Sequence, residues 1–165
     1  MVKIGDSVNH VFLDMPSVLS PLMPDAERLQ WSVLDLGEAY LPSGRWKLDR
    51  DELDDRVLGS PTGFALSFAD LASFAQACDQ IIDGLFVACS SSARFPARTD
   101  DDATILGAAD MLVAAFDSSF WLVSADTKVV SRVEDAFREV SPATPPLSAW
   151  GANGCGLLVS MPSDR

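Results

Sequence analysis

The stretch that decides the fold is residues 111–123, MLVAAFDSSFWLV, which contains two apolar runs around a short polar one. The runs are Met111–Phe116 and residues 120–123, and Asp117, Ser118 and Ser119 between them are turn-forming residues. This pattern predicts a β-hairpin, although the connection lacks the Asn-Gly or Asp-Gly pair that favours the tightest turns. Because a hairpin pairs antiparallel neighbours, it excludes a purely parallel sheet.

A buried helix is predicted upstream of the hairpin. Ser67 is a suitable N-cap, and apolar residues recur behind it at helical spacing as far as Ile82. Asp83 and Gly84 are then expected to turn the chain. The continuous apolar run Leu85–Cys89 that follows predicts a core strand.

A second helix is predicted downstream, over residues 126–140. Asp126 is its N-cap, and the apolar residues behind it, Phe137 among them, fall on one face. Ser141 and Pro142 are expected to end it.

The remaining segments show weaker patterns. Residues 29–40 predict a first strand, and the charged residues 48–58 predict a short helical turn. Residues 90–102 predict a surface loop, and residues 154–161 a closing edge strand. Residues 1–28, with three scattered prolines, are expected to be irregular, with a short strand or turn near residues 11–15.

These elements predict one α+β domain over residues 1–165. The simplest arrangement is a single, mostly antiparallel sheet with the two main helices packed on one face, since this buries every apolar stripe. A chain of 165 residues is long enough to build such a core without disulfides or a metal.

The net charge of the chain limits the classes of partner that it can bind. Lys and Arg number 12 against 24 Asp and Glu, so the formal net charge is −12. Such a chain is repelled by nucleic acid and by anionic membranes, whereas its field attracts a basic protein. Three cysteines make no disulfide framework, and no signal peptide or membrane-spanning run is evident, so the cytoplasm is the expected compartment.

The sequence contains no motif for catalysis, a metal or a cofactor. His10 is the only histidine, and no nucleophile is placed beside it. Zinc-ligand spacings are missing, and the glycine-rich residues 150–156 do not follow a phosphate-loop pattern. We therefore expect no enzyme activity and no cofactor.

The expected partner-binding surface rests on charge alone and consists of two acidic segments. These candidate contact residues are Asp49, Asp51, Glu52, Asp54, Asp55, Asp100, Asp101 and Asp102. The alternative is that both segments are ordinary solvent-exposed charge with no role in binding.

One resemblance bears on the partner. The sequence of residues 116–121, flanked by two predicted strands and followed by the predicted helix 126–140, resembles small acidic bacterial immunity proteins of contact-dependent and polymorphic toxin systems. Residues 63–89 are compatible with the same group. The resemblance implies an inhibitor that binds and neutralises a cognate toxin domain, often a nuclease. The alternatives are a regulatory domain or subunit of a larger assembly and, less favoured, a carboxylate-based enzyme.

Overall fold

An antiparallel sheet of seven strands organises the part of the chain that the computed structural model describes, residues 1–5, 7–8 and 11–143. The strands in chain order are β1 (Val2–Gly5), β2 (Ser7–Val8), β3 (Val11–Phe12), β4 (Gln30–Tyr40), β5 (Phe64–Leu66), β6 (Gln80–Cys89), β7 (Met111–Phe116), β8 (Phe120–Ser124) and β9 (Val140–Pro142). The helices are α1 (Met15–Leu19), α2 (Arg50–Leu58), α3 (Phe68–Ala77), α4 (Asp102–Ala108) and α5 (Thr127–Ala136).

The strand order in the main sheet is β5-β4-β6-β7-β8-β1-β9, and each neighbouring pair is antiparallel. β2 and β3 form a separate two-stranded ribbon. The predicted hairpin is present as β7 and β8, and the α+β class is confirmed. No helix in the described ranges is long and apolar enough to cross a bilayer.

The sheet separates two apolar layers, because successive side chains of a strand point to opposite faces. In β6, Phe86 lies in the first layer, and Leu85 and Val87 lie in the second. The buried residues of α1, α2, α3 and α5 belong to the first layer. Ile105 of α4 and Phe95, which precedes this helix, belong to the second layer. All six residues of β7 are buried, which explains its continuous apolar run.

The helix predicted over residues 67–82 is ten residues long and ends at Ala77. Cys78 is extended (φ −75°, ψ 132°). Ile81 and Ile82 fit a helical stripe, but they lie in β6, and so do Asp83 and Gly84, which do not turn the chain. The predicted helix end was wrong because two adjacent apolar residues, Ile81 and Ile82, fit a helical pattern and a strand equally well.

The second helix also ends before its predicted boundary. α5 stops at Ala136, and Phe137 is its extended C-cap, only partly buried against the first layer. Val140 and Pro142 belong to β9, which pairs with β1. Ser141 and Pro142, which were expected to end the helix, therefore lie in a strand.

Three further differences concern short elements. The prediction of irregular structure for residues 1–28 is wrong for β1, which lies inside the sheet between β8 and β9, and for α1. β5 and α4 were not predicted. The predicted strand over residues 154–161 lies outside the described residues.

Candidate protein-interaction site

The first predicted acidic segment is helix α2 with its N-cap. Asp49 accepts a hydrogen bond from the backbone N–H of Glu52 at 2.9 Å, and Glu52 accepts one from the backbone N–H of Asp49 at 3.2 Å. This reciprocal capping box explains why such a polar sequence forms a helix. Asp49 and Glu52 are therefore exposed but already engaged in holding the helix end.

The outward stripe of α2 contains the carboxylates that remain. Asp51, Asp55 and Leu58 are spaced i, i+4, i+7, and all three are exposed, Leu58 to 63%. Neither Asp51 nor Asp55 forms an ion pair within the described residues. Asp54 differs from them because the guanidinium of Arg50 binds its carboxylate. The helix thus presents two uncompensated carboxylates to solvent.

The second acidic segment holds its own backbone in place. Asp100 accepts a hydrogen bond from the N–H of Ala97 at 2.7 Å, and Asp101 caps α4 by accepting one from the N–H of Thr104 at 2.8 Å. Hydrogen bonds from the Thr104 side chain and backbone lower the pKa of Asp101. Asp102 lies in the first turn of α4.

Residues 90–102 are therefore more ordered than a simple surface loop. They contain a short 3₁₀ turn, Ser92–Arg94, and they bury Phe95 and Pro96. The predicted loop also overlaps α4 at Asp102.

The two acidic segments lie in different layers but meet the same stretch of β4. α2 packs in the first layer, and the segment leading into α4 packs in the second. Arg50 donates to the carbonyl oxygens of Leu36 and Gly37 at 3.1 and 3.3 Å. Arg98 donates to the carbonyl oxygen of Leu34 at 2.9 Å. A partner that contacts both segments must therefore span this edge of the sheet.

Asp35 lies in the same stretch of β4, contacts Arg98 and was not among the predicted residues. Its side chain is 19% exposed and receives one long contact from Arg98 at 3.4 Å. Burial raises the pKa of Asp35, and the neighbouring Asp54 adds to the rise, against the opposing effects of Arg98 and the backbone N–H of Leu36. An acid inside the apolar strand WSVLDL is the sequence signal that could have identified it.

Burial outweighs the nearby arginines at both described thiols. Burial raises the pKa of Cys78 to about 12, so this thiol stays protonated at neutral pH. Burial also raises the pKa of Cys89, whose thiol faces the carbonyl oxygens of Arg94 and Ala108 at 3.7 and 3.5 Å. Neither is suited to act as a nucleophile.

The described surface includes a small cavity and a wider, shallow groove. The cavity has a volume of about 80 Å³ and is lined by Leu13, Met15, Cys78 and Ile81 among others, which is below the several hundred Å³ usual for ligand pockets. The groove is larger, about 540 Å³, but is shallow and open to solvent; it is lined by Pro16, Ser17, Ser20, Pro21, Ala136 and Phe137. The described residues contain no group of three or more His, Cys, Asp or Glu side chains that could hold a metal ion. His10 and residues 150–156 lie outside them.

Comparisons with known proteins add no functional assignment. No protein-family model, curated protein or solved structure matches the chain.

Proposed function

We propose that this protein is a protein-binding module that recognises a basic partner, and that it acts as a cytoplasmic immunity protein against a cognate toxin domain. The observation that carries the binding proposal is the pair Asp51 and Asp55, exposed on a capped helix and without counterions in the described structure. In a chain of net charge −12, these carboxylates add to a field that attracts a cationic surface.

The small amount of exposed apolar surface on the described residues favours this proposal over an obligate subunit. The large exposed hydrophobic residues of the described chain are Met23 in a turn, Tyr40 at the end of β4 and Leu58 at the end of α2. Obligate interfaces are larger and more apolar than three separated side chains provide. A charged, reversible contact fits this surface better.

The binding test uses charge reversal on α2. Asp51→Lys with Asp55→Lys changes carboxylates that have no ion pair in the described structure, so no ion pair is lost. Because Asp51 lies in the first turn of α2, where a lysine opposes the helix dipole, the circular dichroism spectrum of the variant must first show the native fold. Asp135→Lys with Glu134→Lys, on the exposed side of α5, changes the net charge equally. The second acidic segment, Asp100, Asp101 and Asp102, is less suitable for such a test because Asp100 and Asp101 bond the backbone and fix its conformation.

The partner for this test is the C-terminal domain of a secreted protein encoded beside this chain, an arrangement that the immunity assignment predicts. We expect the α2 variant to slow association by about tenfold or more at low salt, and the α5 variant to change it much less. Equal effects of the two variants would contradict the proposal that α2 is the contact surface, but not the proposal that the protein binds a basic partner. A neighbouring domain that binds but is not toxic without this chain would contradict the immunity assignment alone.

A further inference from the structure

The outer edge of β4 is only partly covered by another strand. β5 pairs with β4 from Trp31 to Val33, whereas β4 continues to Tyr40. Among the described strands, none pairs with residues 34–40 on that side. A strand edge of this length offers unpaired N–H and C=O groups to any other extended chain.

Side chains occupy the polar groups of this edge. In residues 34–37 the pairing with β6 is irregular, with register shifts on either side of Asp35. Arg98 donates to Leu34 O, and Arg50 donates to Leu36 O and Gly37 O. Three carbonyl oxygens, those of Leu34, Leu36 and Gly37, are thus bonded by two arginine side chains.

We infer that Arg50 and Arg98 seal the outer edge of β4 against strand addition, and that the occupant they exclude is the same edge of a second copy of this chain. An incoming strand must donate its N–H groups to the carbonyl oxygens that the two guanidiniums hold. It must therefore displace both arginines, which would also separate Arg50 from Asp54 and Arg98 from Asp35. Two identical edges can pair antiparallel about a two-fold axis, so a second copy is the partner always present at equal concentration.

The test is the self-association of the double variant Arg50→Gln with Arg98→Gln, measured by sedimentation velocity over a range of concentrations. We expect its association constant to exceed that of the unmodified protein by about tenfold or more, equivalent to about 1.4 kcal/mol. The increase should be larger at 0.5 M than at about 0.15 M NaCl, because salt screens the repulsion between two acidic copies.

Two controls separate sealing from charge. Arg45→Gln with Arg138→Gln removes two exposed cations that do not contact β4 and should leave association unchanged. Arg50→Lys with Arg98→Lys retains donors near the edge and should restore most of the unmodified behaviour. If the Gln double variant loses its native circular dichroism spectrum, the two single Gln variants decide the question. Folded Gln variants that sediment like the unmodified protein at both salt concentrations would overturn the inference.

Discussion

Gly63 lies directly against the backbone of Val33, so that a Cβ atom on Gly63 would overlap the Val33 carbonyl oxygen. The same Cβ would be 2.8 Å from Leu34 Cα, and Gly63 has a φ of +74°, a region that favours glycine. Ser32, which is 1% exposed, donates to the carbonyl oxygen of Thr62 at 2.6 Å beside this contact. Glycine therefore allows the chain to pass close to β4 just before β5 begins.

Gly63→Ala should consequently destabilise the protein by about 2–4 kcal/mol, since left-handed strain and backbone overlap act together. Gly44→Ala is the matched control, because Gly44 has a φ of +77° but nothing within 4 Å of an added Cβ. That control should lose only the left-handed cost of about 1–2 kcal/mol. Urea denaturation measures both values, and equal losses would show that the contact with β4 is not restrictive.

Burial distinguishes two phenylalanines that look equivalent in the sequence. Phe74 of α3 is fully buried, whereas Phe137 is partly buried at the end of α5. Phe74→Ala should cost about 3–5 kcal/mol, and Phe137→Ala clearly less, about 1–2 kcal/mol. Thermal or urea unfolding of both variants provides the comparison. A loss at Phe137 as large as that at Phe74 would indicate that Phe137 is packed in the core, as expected for a helix that continues to residue 140.

How far the sequence predicts this fold depends on the length of each pattern. The hairpin was predictable because two apolar runs exceed what a loop can expose, and β4 because its apolar residues extend over a long segment. β1 has four residues and α4 buries a single large side chain, Ile105, so neither produces a period that stands out. Ile81 and Ile82 satisfied the helical period equally well, and only pairing with β4 makes this part of β6 a strand.

The candidate site was predictable in composition but not in arrangement. The acidic segments are evident from the sequence, yet Asp49 and Asp101 serve helix ends and Asp54 is paired locally. Asp35 acquires its surroundings from Arg98, which is 63 residues away in the chain. Contacts of that separation arise from the tertiary fold, and no local pattern reports them.

The pKa of Asp35 predicts a specific effect of pH on stability. A carboxyl group with a raised pKa in the folded state binds its proton more tightly there than in the unfolded chain. Its contribution to stability is therefore present at low pH and is lost as pH rises from about 3.8 through the folded-state pKa. Asp35→Asn removes this contribution, so the stability of the unmodified protein relative to the variant should fall over that window and then level off.

Urea denaturation from pH 3.5 to 8 tests the direction of this change, with Glu38→Gln as the control for removing one charge from β4. A relative stability that rises with pH would show that Arg98 outweighs burial.

The hairpin tip contains backbone strain that can be relieved. Asp117 and Ser118 have φ of 47° and 51°, where Asn-Gly would be preferred, and Ser118 also accepts a hydrogen bond from Gln80 at 2.8 Å. Ser118→Gly should stabilise the protein by about 0.5 kcal/mol, because relief of left-handed strain exceeds the loss of one exposed hydrogen bond. Ser119→Gly, at a neighbouring position without a positive φ, should instead lose about 0.5–1 kcal/mol, because the unfolded chain gains freedom and the hydrogen bond from the Ser119 hydroxyl to the Asp117 carbonyl oxygen is removed. Differential scanning calorimetry of the two variants should shift Tm in opposite directions. Shifts of the same sign would indicate that the turn conformation is not what limits Ser118.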